Sequence, residues 1–174
     1  TTDARWEGQM ARQSVQIRGV AHPPPPRDGG RRGPADLNRA EIAATNIAGR
    51  PLLNEHDSDA RVGTCLASWA GTDGSLRIAA NVEDPQAIQQ LKSGTLRGLS
   101  LGTDMVMDEG GGVLFRNQAE LSMCAEGKRP GTWIDTIDGK IVHQVACASK
   151  TRERAPHPAI VFLITPNAAP NHQN

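Results

Sequence analysis

The chain has 174 residues, with 19 Lys and Arg balanced by 19 Asp and Glu, three cysteines, and an aromatic share of 3% that includes no Tyr. That length fits one domain over residues 1–174, able to bury a core without disulfides or metals. Zero net charge excludes a general nucleic-acid binder resting on a basic surface, and so few rings exclude stacking on single strands.

No run of about 18 apolar residues occurs, and Thr1-Thr2-Asp3-Ala4-Arg5 has no signal-peptide core, so neither membrane spanning nor secretion is expected. Cys65, Cys124 and Cys147 are too few, and odd in number, for a disulfide framework, and they fit a reducing compartment.

In chain order, the alternation of apolar residues over 14–20 predicts a strand. The Pro run at 23–26 and the Gly-Arg stretch after it then predict an exposed, mobile insert over 22–34, with a docking motif or an arginine arm as the functional alternatives. A helix is expected over 34–48, capped by Asp36, carrying Leu37, Ala40, Ala44 and Ile47 at helical spacing and stopped by Gly49. Beyond it the pattern is mostly β: 51–54, 61–69 and 75–82, the last two joined by a turn at 71–74. A short helix at 85–93, begun by Asp84-Pro85 and ended by Gly94, precedes strands at 96–107 and 113–124 around a Gly-rich turn. Further strands are expected at 132–136, 140–147 and 159–165, with a flexible tail over 166–174.

Gly98-Leu99-Ser100-Leu101-Gly102 matches Gly-x-Ser-x-Gly. In a Gly-rich chain those five letters are weak by themselves, and the α/β-hydrolase order of serine, acid, histidine does not fit. On a strand, Leu99 and Leu101 face the core, while Ser100 lies on the other face between two residues without side chains. Gly98 and Gly102 then leave a trough where a substrate backbone could approach. If the turn at 108–112 pairs Met107 with Val113, Ser100 falls opposite Glu120, with Ser122 on the same face. A bulge would break that register. A serine nucleophile needs a base. His56, after an apolar strand end in Leu53-Asn54-Glu55-His56-Asp57, is the best-placed candidate. His143 is a rival within an apolar stretch, whereas His22, His157 and His172 sit in Pro-rich or terminal segments.

These segments together resemble capsid maturation proteases. Leu52 to Asp57, Val62-Gly63 and Asp73-Gly74-Ser75-Leu76 are similar to the histidine-bearing region, and Gly94 to Gly102 is similar to the serine-bearing strand of tailed-phage prohead proteases and herpesvirus assemblins. Glu120 to Cys124, then Gly127-Lys128-Arg129-Pro130-Gly131-Thr132, resemble the assemblin strand of the third catalytic residue and its arginine-bearing loop. The resemblance covers about residues 51–134, with the motifs in the family's order.

It implies a mainly β fold with peripheral helices (α+β), a small antiparallel β-barrel, acting as a serine endopeptidase that cleaves the scaffold protein and its own precursor during procapsid maturation. Ser100 would be the nucleophile, His56 the base, and Glu120 would stand where assemblins carry a second histidine. A carboxylate there can orient an imidazole and stabilise its protonated form. The Lys128 amide and the Arg129 side chain would form the oxyanion hole, with Gly98, Gly102 and Ser122 beside the substrate. No cofactor is implied. The partners would be the scaffold and the capsid shell, inside a procapsid in a host nucleus or a bacterial cytoplasm, with neither nucleic acid nor membrane. A homodimer is a hypothesis only, because the chain after 135 shows little of the assemblin dimerisation helices. Small residues are expected around the cut, and Val145 to Ser149 and Ala168-Ala169 are candidate self-cleavage sites.

Three other readings stay open. A metal site from Cys65, Cys124, Cys147 and His143 has no usual zinc spacing. A non-catalytic assembly barrel would keep the fold, and a small serine esterase would use the same serine on other substrates.

Overall fold

The computed structural model describes residues 13–142. The expected strands and tail beyond 142, His143, Cys147 and both candidate self-cleavage sites lie outside the described residues. Ten elements follow one another: β1 (Val15–His22), α1 (Arg39–Ala44), β2 (Pro51–Asn54), β3 (Asp57–Ala70), β4 (Leu76–Val82), α2 (Pro85–Lys92), β5 (Gly98–Met107), β6 (Val113–Cys124), β7 (Trp133–Ile137) and β8 (Lys140–Ile141). The strands form one sheet in the order β5-β6-β2-β3-β4-β1-β7-β8. It curls on itself, so that β5 packs back against β1 and β7. Gly19 of β1 permits this approach, since a Cβ there would meet Leu99 of β5 and the backbone of β7.

Alternation builds the core. Ile17, Leu52, Leu76, Ile78, Leu99, Leu121, Met123 and Ile134 are buried from six strands, and Ile42 of α1 with Ala87, Ile88 and Leu91 of α2 complete it. The fold is mainly β with peripheral helices, as expected. Among the described strands, every pairing is antiparallel except that of β2 with β6, where Leu52, Leu53 and Asn54 lie beside Leu121, Ser122 and Met123 in parallel. Among the described residues, no helix is long and apolar enough to cross a membrane.

Two local expectations are corrected. The helix expected over 34–48 is six residues, opened by Asn38 rather than Asp36 through a reciprocal capping box with Glu41. Leu37 and Ile47 are buried from the flanking loops, which mimics helical spacing. The 22–34 segment is not a free insert. Pro23 and Pro25 are buried, and His22, only 1% exposed, accepts the Leu37 amide at Nε2 (3.0 Å) and bonds the Pro23 carbonyl through Nδ1 (2.7 Å). Arg116 also donates to the Pro34 carbonyl at 2.6 Å.

The β5–β6 hairpin starts in the expected register, Met107 opposite Val113, but shifts twice. The pairings Val106–Phe115 and Gly102–Glu120 leave Leu114 and Ala119 as extra residues on β6. Ser100 therefore faces Ser122, and Glu120 faces Gly102. Each bulge moves the register by one, so together they move it by an even number. The partner changes but the face does not. Side-chain burial ends at the same place: Gly98–Leu101 and Leu121–Cys124 are buried, and the hairpin beyond them is half-exposed or exposed.

Candidate active site

His56 lies in the two-residue turn between β2 and β3, where Asn54 pairs with Asp57. Both turn residues, Glu55 (φ 51°) and His56 (φ 63°), are left-handed without being glycine. That is the backbone of a type I′ hairpin turn, a position usually given to Asn or Gly. Strain of this kind persists only where the surroundings over-determine it. Here β6 does so. The Glu55 amide donates to the Met123 carbonyl (3.0 Å), the Glu55 carboxylate accepts the Ala125 amide (2.6 Å), and the His56 amide donates to Ser122 Oγ (3.1 Å). The parallel pairing of β2 with β6 brings the turn to these partners.

The imidazole is fixed as firmly as its backbone. His56 Nδ1 lies 2.5 Å from Glu120 Oε1. A carboxylate accepts, so in the neutral ring Nδ1 carries the proton and Nε2 is the nitrogen with the free lone pair, the one able to act as a base. The other carboxylate oxygen, Oε2, accepts the Ser122 hydroxyl at 2.7 Å. Ser122 thus ties Glu120 and the His56 backbone together from a fully buried position. Gly102 makes the room: a Cβ there would overlap the Glu120 carboxyl group.

Ser100 is 2% exposed, and its Oγ has no hydrogen-bond partner among the described residues. A buried unpaired hydroxyl is unusual in a native structure. It borders a cavity of about 660 Å³ lined by His56, Ser100, Leu101, Gly102, Thr103, Lys128 and Arg129, with Ala35, Asp36 and Met105 at its other walls. The strand places Leu99 and Leu101 inward and Ser100 toward this space.

The 127–132 loop reaches the serine strand because two glycines meet. A Cβ on Gly98 would overlap the Gly127 backbone, and one on Gly127 would overlap Thr132 and crowd the Leu99 carbonyl. Thr132 closes the loop by donating from Oγ1 to the Arg129 carbonyl at 2.7 Å. Lys128 makes no hydrogen bond among the described residues, so its amide is unspent at the cavity wall. Arg129 is not free. Its Nε donates to Asp36 Oδ1 (2.7 Å) and its Nη2 to the Ala35 carbonyl (2.9 Å).

The structure thus gathers His56, Ser100, Gly102, Lys128 and Arg129 around one cavity, with Glu120 behind His56. Gly98 and Ser122, expected beside the substrate, are not among the lining residues. Gly98 admits the 127–132 loop, and Ser122 is held inside the Glu120–His56 network. Asp36 and His22 were missed. In sequence Asp36 reads as a helix cap and His22 as part of a Pro-rich loop, and no local pattern signals a partner 93 residues away, the separation of Asp36 from Arg129.

Two of the cysteines are buried thiols. Burial pushes Cys65 and Cys124 up to about 12, helped by Glu120 at Cys65 and by Glu55 and Glu120 at Cys124. Neither can supply a thiolate near neutral pH. No cluster of metal-ligating side chains is present among the described residues.

No protein-family model and no curated protein sequence matches the chain. Solved structures do. The KSHV protease in complex with a hexapeptide phosphonate inhibitor matches with a TM-score of 0.52 at 16% identity, over 70% of this chain and 64% of that one. The varicella-zoster virus protease matches with a TM-score of 0.49 at 14% identity, over 74% of this chain and 65% of that one. The chain therefore spans just under two-thirds of the length of these proteins. The likeness is one of fold: this chain has an assemblin-like fold.

Proposed function

We propose that the protein is a serine endopeptidase of the capsid-maturation kind, which cleaves an internal scaffold protein, and its own precursor, by acyl-enzyme chemistry. One observation carries this reading: a buried, unpaired serine hydroxyl and a histidine oriented by a carboxylate share one cavity on an assemblin-like fold.

In this mechanism Ser100 Oγ attacks the scissile carbonyl carbon while its proton passes to His56 Nε2. The imidazolium that forms is stabilised by Glu120, which already holds Nδ1. Negative charge on the carbonyl oxygen is met by the Lys128 amide and by Arg129. Removing one such donor costs about 2.7–4 kcal/mol in comparable sites. Collapse returns the proton from Nε2 to the leaving amine. Water then takes the same path in reverse to release the acyl group from Ser100. Ser100 Oγ makes no hydrogen bond to His56 in the structure, and catalytic hydrogen bonds of this kind commonly tighten only in the substrate complex. The setting within a procapsid, a homodimer in solution and a preference for small residues at the cut belong to the same proposal.

The test is intact-mass spectrometry after treatment with a serine-directed fluorophosphonate. One adduct is expected on the native protein, none on Ser100→Ala and far less on His56→Ala. A folded native protein that takes no adduct would make it a non-catalytic barrel instead. Turnover of small esters without cleavage of scaffold-derived peptides would make it an esterase.

A further inference from the structure

The loop between β1 and α1 is unusually well tied for a segment so rich in Pro, Gly and Arg. His22 holds its far end through the Leu37 amide, Arg116 holds the Pro34 carbonyl, and Arg32 Nη1 donates back to the Pro24 carbonyl at 2.8 Å. Ala35 and Asp36 sit between the Pro34 and Leu37 anchor points. From there they take two of the three guanidinium nitrogens of Arg129, at Nε and Nη2. Both partners are largely shielded, with side-chain exposures of 15% for Arg129 and 18% for Asp36. Nη1 alone has no partner among the described residues, and all three residues border the cavity that holds Ser100.

An untethered Arg side chain carries rotamer entropy that must be lost before it can serve as a fixed donor. Oxyanion donors help because they are oriented before charge develops. We infer that Asp36 is a positioning residue for Arg129, presented by the His22-anchored loop, so that the β1–α1 segment forms one wall of the catalytic centre. This rests on the serine endopeptidase reading. Asp36 never touches the reacting atoms in this scheme. It acts by spending Nε and Nη2, so that the guanidinium can offer only Nη1 to the carbonyl oxygen. The loop also explains the 22–34 stretch, which the protease-like motifs leave unaccounted for.

A double-mutant cycle on the full chain tests it, reading kcat and KM on a cleavable peptide together with the fluorophosphonate rate and the melting temperature. Asp36→Ala should lower kcat roughly 10- to 100-fold, approaching the roughly 100- to 1,000-fold lost when an oxyanion donor is removed outright. KM should change less than about threefold, because the contact matters mainly when charge develops. Asp36→Asn keeps an acceptor oxygen at the same reach and should restore most of kcat. Arg129→Ala should cost at least as much as Asp36→Ala, and the double variant no more than Arg129→Ala alone. Losses that add on a folded protein would overturn the inference, since Asp36 would then act independently of Arg129. So would a wild-type kcat in Asp36→Ala beside an impaired Arg129→Ala, with the protease reading left intact. A native protein that takes no fluorophosphonate would overturn that reading first, and this role with it.

Discussion

Two serines face each other across β5 and β6 and should respond oppositely to the same substitution. Ser100 is buried and unpaired, whereas Ser122 is buried and bonded to Glu120 Oε2 and the His56 amide. Leaving a hydroxyl buried and unsatisfied costs about 1–3 kcal/mol. Because Ser100 borders an open cavity, the lower end of that range applies, and Ser100→Ala leaves no closed void behind. The expected gain is about 1 kcal/mol, or roughly 2–4 °C in melting temperature for a chain of this size. Ser122→Ala takes the partner from the part-buried Glu120 Oε2 and from the part-buried His56 amide, at a cost of about 1–3 kcal/mol and a fall of roughly 2–10 °C. Thermal melts of the two variants beside the native protein, monitored by circular dichroism, measure both. Parallel losses of similar size would refute the reasoning, because Ser100 would then be an ordinary bonded core serine.

Gly102→Ala drives a methyl group into the Glu120 carboxyl group, so its kcat should fall at least about 100-fold, within the roughly 10⁴-fold known for a mis-oriented triad histidine. Gly98→Ala meets backbone at Gly127 and should instead cost roughly 1–3 kcal/mol of stability; urea melts and peptide kinetics separate the two. Cys65 and Cys124, with thiols pushed up to about 12, should resist iodoacetamide at pH 8 in the folded protein and react on unfolding, read by peptide-resolved mass spectrometry. His22 titrates below its ordinary value of 6.5, chiefly through burial; Arg129 and Arg32 push it further down, against the Pro23 bond and Asp36. The unfolded chain therefore takes up a proton that the fold refuses. His22 contributes its full stability above about pH 6.5, and that contribution is lost as pH falls through the lower folded-state value. Urea midpoints should drop between pH 7.5 and 5 in the native protein and less so in His22→Gln; equal drops would refute this.

What the amino-acid sequence determined by itself is the local chemistry. Alternation placed Leu99 and Leu101 inward and Ser100 outward, and the Gly-rich turn set Met107 opposite Val113. Parity along a strand is a nearest-neighbour property, so Ser100, Glu120 and Ser122 could be assigned to one face before any bulge was known. Which residue met which was not legible. Leu114 and Ala119 bulge without a Gly or Pro to announce it, and the two shifts exchanged the partners of Ser100 and Glu120. The parallel pairing of β2 with β6, which delivers His56 to Glu120, and the tether from Asp36 to Arg129 join segments more than 60 residues apart. Contacts at such range leave no periodicity in the sequence. They form only when the sheet curls on itself and packing decides which loops stand beside Ser100, so the residues of the site could be read along the chain while their geometry could not.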